Sequence, residues 1–204
     1  MRSVVSTGLA LTAAALTLAS PAMAQRVSQS QFALDGAIGF AVPVGNYGSA
    51  FNTGLDLMGA VEYHPRSTGP FYFRGEVNWG HFGASGGVNA HSNNVGFIAD
   101  GLYDFHVPGS LIQPYALAGI GIYHVTLGFD QNCVTTPGGI DCTGGGGDDA
   151  TGIGFNFGGG VRYPVAPFVQ LFFEARYHIP LTGPGDLTNS PFFPFMFGAR
   201  YRLP

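Results

Sequence analysis

The chain has 204 residues, with 8 arginines, no lysine and 12 acids; its formal net charge is −4 and only 10% of its residues are charged. Soluble domains carry about 25% charged residues, so a water-facing globule is disfavoured, and the negative charge argues against a nucleic-acid partner. Beyond the N-terminus no run of about 18 apolar residues occurs, which excludes a helical membrane span.

Residues 1–24 read as a secretory signal peptide. Arg2 opens it, Leu9 to Leu18 is an apolar run too short to span a bilayer as a helix, and Pro21-Ala22-Met23-Ala24 ends it with small residues at the positions a signal peptidase reads. Cleavage before Gln25 leaves 25–204 as one domain, with seven arginines against twelve acids, about −5.

Eight later segments alternate with period 2, the signature of strands whose successive side chains face opposite ways. The first, Phe32–Val42, sets Leu34, Ile38 and Phe40 against Asp35. The second, Gly54–Tyr63, sets Leu55, Leu57, Val61 and Tyr63 against Asp56 and Glu62. In the third, Phe71–Phe82, Phe71, Phe73, Val77 and Trp79 oppose Arg74, Glu76 and Asn78. The fourth, Asn94–His106, places Val95, Phe97, Tyr103 and Phe105 opposite Asp100, Asp104 and His106. The fifth, Pro114–Leu127, is apolar on both parities; we place Leu117, Tyr123 and Val125 outward and His124 inward. The sixth, Gly152–Tyr163, sets Ile153, Phe155, Phe157 and Val161 against Asn156 and Arg162. The seventh, Val169–Ile179, sets Leu171, Phe173 and Tyr177 against Gln170, Glu174, Arg176 and His178. The eighth, Phe193–Leu203, sets Phe195, Phe197 and Tyr201 against Arg200 and Arg202.

All twelve charges inside these segments fall on the parity opposite the large apolar residues. An arginine facing the bilayer midplane from a barrel wall costs about 2–4 kcal/mol, whereas a water-facing wall carries no such penalty. The exclusion therefore predicts lipid on the apolar side. The polar parity also carries Ala37, Gly39, Ala60, Gly80, Gly96, Gly154, Gly158, Gly160 and Gly198, small residues suited to the narrow interior of an eight-stranded barrel. The connectors agree. Counted from a periplasmic N-terminus, the external links (Gly45–Asn52, Gly83–Ser92, Asp130–Ala150, Pro180–Pro191) are longer than the periplasmic ones (His64–Pro70, Val107–Leu111, Pro164–Pro167). The expected fold is all-β: an eight-stranded, antiparallel, up-and-down transmembrane barrel, closed because lipid cannot satisfy an unpaired edge.

Val42-Pro43-Val44-Gly45, Thr53-Gly54-Leu55, Pro114-Tyr115-Ala116-Leu117-Ala118-Gly119-Ile120-Gly121, Phe173-Glu174-Ala175-Arg176-Tyr177-His178 and Phe197-Gly198-Ala199-Arg200-Tyr201-Arg202 resemble, in order, the outer-membrane beta-barrel domain family of OmpA/OmpX-like small barrels. The resemblance spans the mature chain. It implies location in the Gram-negative outer membrane, outer-membrane lipids as surroundings, and insertion by the barrel-assembly machinery. The terminal Tyr201-Arg202-Leu203-Pro204 departs from the aromatic last residue usual in such barrels.

Two groups could carry chemistry. Arg74, Glu76, Asp100, Arg162, Glu174, Arg176, Arg200 and Arg202 share the inward parity and predict an ionic network in the lumen, acting as a structural plug or as a narrow polar conduit. Cys133 and Cys142 in the long external link, in an oxidising compartment, predict a disulfide; a metal site there lacks a nearby histidine. Lipid A deacylases use this scaffold with a His-x-Ser-Asn motif, but here His178 is followed by Ile179-Pro180-Leu181. We therefore expect no enzyme activity, cofactor or metal. The expected role is structural, or surface interaction through the external loops to an extracellular ligand the sequence does not identify. The alternatives are a small-solute pore and, behind it, a lipid A-modifying enzyme. Tyr63, His64, Trp79, Tyr103, Tyr163 and Tyr201, near strand ends, are candidates for interfacial girdles.

Overall fold

The computed structural model describes residues 31–204 except 88, 130–131, 137–138, 144 and 184–186, and leaves the side chains of 130–144 undescribed. The expected signal peptide lies outside the described residues. Ten strands and one short helix follow in order: β1 (Phe32–Pro43), α1 (Gly45–Ala50), β2 (Gly54–Tyr63), β3 (Phe71–Gly83), β4 (Ala90–Asp104), β5 (Gln113–Phe129), β6 (Asn132–Thr136), β7 (Gly139–Thr143), β8 (Gly147–Ala166), β9 (Val169–Pro180) and β10 (Phe192–Arg202).

Eight of the strands close a barrel in the order β1-β10-β9-β8-β5-β4-β3-β2, every neighbour antiparallel. Chain neighbours pair as hairpins, and β1–β10 completes the ring, so no strand edge of the barrel is left open. The β6–β7 hairpin stands apart as a two-stranded ribbon between β5 and β8. Sequence patterning treats the whole 130–150 stretch as a loop; the ribbon escapes it because its strands are five residues long, too short to display a period.

The outer wall is apolar. Phe97 is 60% exposed and Phe197 58%, and Leu34, Ile38, Phe73, Ile120, Ile153 and Leu171 are likewise open. A soluble monomer rarely exposes one continuous surface of this kind; hydrocarbon is its natural solvent. At the end carrying the start of β1 and the end of β10, stacked and edge-on pairs Phe32–Tyr63, Phe71–Tyr103 and Tyr103–Phe105 have ring centroids 4.9, 4.8 and 5.0 Å apart. These aromatics, with Tyr163 and Tyr201, sit where a girdle meets the headgroups.

The orientation of β5 corrects the sequence reading. Leu117, Tyr123 and Val125 face inward, 5%, 0% and 0% exposed, whereas Ile120 and Ile122 face lipid. His124 shares the outward parity and bonds Thr151 Oγ1 at 2.8 Å. Cross-strand neighbours share a face, and Asp100, which is buried in the lumen, lies opposite Gly119. A Cβ at Gly119 would come within 2.0 Å of the Asp100 carboxylate, so this glycine turns inward to make room for it. The alternation of Leu117, Tyr123 and Val125 with it follows. The lumen accepts apolar groups here because it is packed: Leu117 joins Tyr72, Leu102 and Tyr115 in one cluster.

Ile122→Arg should therefore destabilise the barrel folded in lipid vesicles by about 2–4 kcal/mol. Tyr123→Phe, which removes one lumen hydrogen bond, should cost about 1 kcal/mol. Equilibrium denaturation of both variants checks this; equal costs would contradict the orientation of β5.

Candidate functional site: the charged lumen

The inward face of the barrel is stacked in three layers. The middle layer depends on topology. β3 and β9 lie four places apart in a ring of eight strands, on opposite walls. β3 presents Arg74 and Glu76, and β9 presents Glu174 and Arg176, so the two short motifs face each other with opposite sign at each level. Arg74 Nη1 donates to Glu174 Oε2 at 2.9 Å, and Arg176 Nη2 to Glu76 Oε1 at 2.8 Å. Asp100 of β4 accepts from Arg74 Nε at 3.1 Å and Nη2 at 3.0 Å. Arg176 Nε lies 2.7 Å from Glu174 Oε1 on its own strand. Tyr115 OH donates to Glu174 Oε2 at 2.6 Å and Asn156 Nδ2 to Asp100 Oδ1 at 2.9 Å. The side chains of these two arginines and three acids are at most 1% exposed.

The lower layer, toward the termini, is built around Glu62 of β2. Its oxygens meet Arg162 Nη2 at 2.7 Å and Arg200 Nη2 at 2.5 Å. Arg162 Nη1 also donates to Asp104 Oδ1 at 3.0 Å and to the Tyr72 hydroxyl. Its guanidinium lies over the Tyr115 ring, 4.1 Å from the centroid, a cation–π contact in a desolvated setting. Arg202 does not join either layer: it stands at the mouth, and no ion pair to it is found among the described residues.

The upper layer is polar, then apolar. Asn78 Nδ2 donates to Asp56 Oδ1 at 2.6 Å. His178 is fully buried, with Nδ1 3.0 Å from Tyr123 OH and its ring stacked on Phe192 at 4.8 Å. It faces the lumen, not the lipid wall. Above it α1 folds into the mouth. Tyr47, Phe51, Phe82, Phe192 and Ala41 form a cluster no more than 5% exposed. Gly45, at φ +61°, permits the turn into α1. Gly48 permits close packing, since a Cβ there would lie 2.6 Å from Pro43 O. Tyr47 OH donates to Ser92 Oγ at 2.9 Å, and burial pushes this hydroxyl above its ordinary range, so it remains a donor.

Glu62, Asp104, Tyr72, Tyr115, Asn156 and the α1 plug are participants that the sequence reading did not place in the network. Glu62, Asp104, Tyr72 and Asn156 carried the inward-parity signal; Tyr115 did not, because its strand is apolar on both parities. Cys133 and Cys142 lie directly opposite each other in the β6–β7 register, and their side chains fall outside the described part of the structure. Among the described residues no group of histidines, cysteines and acids is arranged to hold a metal.

Removing one partner of a buried ion pair typically costs about 3–5 kcal/mol, because the remaining charges stay buried. Glu174 is the acceptor for Arg74, Arg176 and Tyr115 together. Glu174→Ala should therefore reduce stability by about 3–5 kcal/mol, read as a lowered midpoint for loss of the fast-migrating folded band on a detergent gel. A wild-type midpoint would remove the network from the list of stabilising features.

No curated protein sequence matches the chain. Among solved structures it is similar to Neisserial surface protein A, at 20% identity and TM-score 0.64, over 86% of this chain and 99% of that one. It is also similar to the attachment invasion locus protein Ail of Yersinia pestis, at 11% identity and TM-score 0.51, over 86% and 99% of the two chains. A third similar barrel is a major outer membrane protein of Thermus thermophilus, at 13% identity and TM-score 0.51, over 84% and 99%. These identities speak to the fold. The model of the outer membrane protein beta-barrel domain matches residues 10–202. With that match over nearly the whole chain, and a closed eight-stranded ring that is apolar outside and charged within, the protein belongs to the outer membrane protein beta-barrel domain family.

Proposed function

We propose that the protein is a closed, non-enzymatic barrel of the Gram-negative outer membrane, delivered by its signal peptide and inserted by the barrel-assembly machinery. Its role is to stabilise the envelope and to present the external segments as an interaction surface. One observation carries the reading: the lumen is filled from the α1 cluster down to the Glu62–Arg162 layer. The middle ionic layer is buried, the lower layer is held by Glu62 and Arg162, and the α1 aromatic cluster covers the outer mouth. A conducting path would have to break guanidinium–carboxylate pairs and part an apolar cluster at the same time.

The surface role draws support from how the external end is built. The longest connection holds its own β6–β7 ribbon, a two-stranded sheet separate from the barrel. The absence of enzyme activity draws support from His178, whose enclosure in the lumen puts it out of reach of a lipid ester on the outer wall.

Planar-bilayer recording tests the reading. The wild-type barrel should give no resolved conductance steps. Tyr47→Ala should stay silent too, because the ionic layers remain beneath the opened plug. Steady unitary conductance from the wild type would overturn the closed-lumen reading in favour of a pore.

A further inference from the structure

We propose that the periplasmic vestibule of the barrel binds a phosphate-bearing group. A cavity of about 490 Å³ opens between the start of β1, the β2–β3 turn, the β4–β5 turn and the end of β10. Its polar lining includes His64, His106, Gln113, Asp104, Arg200 and Arg202.

The groups around the cavity are unevenly paired. Asp104 Oδ1 is taken by Arg162 and by Tyr72 OH, at 3.0 and 2.9 Å. Arg200 is tied to Glu62 below, and Asp35 lies opposite Arg200 in the β1–β10 register. Arg202 has no ion-pair partner among the described residues, so its guanidinium is the one left open to the vestibule. The backbone fixes its position: Arg202 N donates to Phe168 O at 2.8 Å, and Arg202 pairs with Ala33 in the β1–β10 register. Gln113 accepts from Gln170 through Oε1 at 3.4 Å, a contact that does not use its own amide hydrogens. Guanidinium and amide donors around one solvent-connected cavity suit an oxyanion.

The surroundings select phosphate among oxyanions. Phe32, Phe105, Val107 and Leu111 rim the same end, 47%, 48%, 43% and 62% exposed. Such a rim rests in the headgroup zone of the inner leaflet, where phosphates are the dense anion. Two sources share this chemistry: a phospholipid headgroup, and free phosphate or a phosphate ester in the periplasm.

The test uses the mature barrel refolded in phospholipid-free detergent and titrated with inorganic phosphate, with chloride at equal ionic strength as control. NMR follows the Arg202 Nε–H and the Gln113 side-chain amide. Both should move and saturate with phosphate but not with chloride. Arg202→Gln should abolish the Gln113 shift, and Gln113→Glu should weaken the Arg202 response at least fivefold. Each variant should keep its fast-migrating band, since Arg202 makes no ion pair among the described residues and Gln113→Glu keeps the oxygen that accepts from Gln170. Phosphatidylglycerol nanodiscs then separate the sources. Signals already at the bound position before phosphate is added identify leaflet headgroups; movement only on adding phosphate identifies the free anion. No saturable shift, an equal response to chloride, or a Gln113 shift that survives Arg202→Gln would overturn the proposal. None of these outcomes depends on whether the lumen conducts.

Discussion

Two arginines reach across the barrel to carboxylates on the opposite wall, Arg74 to Glu174 and Arg176 to Glu76, and the interior is arranged around that exchange. A guanidinium or a carboxylate taken out of water alone is costly by many kcal/mol, so these groups are tolerable only as a set. The set tolerates little displacement. The bidentate contact of Arg74 with both oxygens of Glu174 holds the planes of donor and acceptor, Tyr115 adds a second donor to Glu174 Oε2, and Asn156 satisfies the Asp100 Oδ1 that Arg74 does not reach. Interior glycines belong to the same arrangement: a Cβ at Gly119 would collide with Asp100, and one at Gly158 or Gly160 would collide with β9 backbone. Charge and bareness on the inward face are two aspects of one packing solution.

The outer wall obeys a separate constraint, set by the solvent. Every backbone donor and acceptor in hydrocarbon must be paired within the protein, and only closure of the sheet achieves this for strands. Once the ring is closed, the wall needs only apolar bulk, supplied by Phe, Leu, Ile and Val with small residues between. The two faces of each strand therefore answer to different physics: non-specific burial outside, specific pairing inside. That division explains why barrels sharing only 11–20% identity with this chain keep its architecture. An apolar wall accepts many sequences, and a lumen can be filled in many ways.

The two ends of the barrel differ in kind. One mouth is sealed by aromatic packing under α1, whereas the other is an open vestibule whose lining includes Asp104, Arg200 and Arg202. The β1–β2 link folds back as α1 over one opening, whereas the links at the other end, 64–70, 105–112 and 167–168, leave theirs open.

How much of this was legible in the residues depends on range. The period-2 alternation and the exclusion of charge from the apolar parity act between near neighbours in the chain, and they sufficed for the eight barrel strands and the inward set containing Arg74, Glu76, Glu174 and Arg176; the expected alternation of connector lengths fails at β3–β4, whose link, 84–89, is shorter than 64–70 and 105–112. Strand β5 escaped this reading because both its faces are apolar, so its orientation rests on what lies across from Gly119. Arg202 shares the parity of Arg200 but lies two residues nearer the end of β10, where the strand leaves the lumen for the mouth. The partners of each charge, the tyrosines that complete them and the aromatic seal over the outer mouth were decided only by tertiary structure. These contacts join residues up to 100 positions apart, and no local pattern records which side chains closing the ring will bring together.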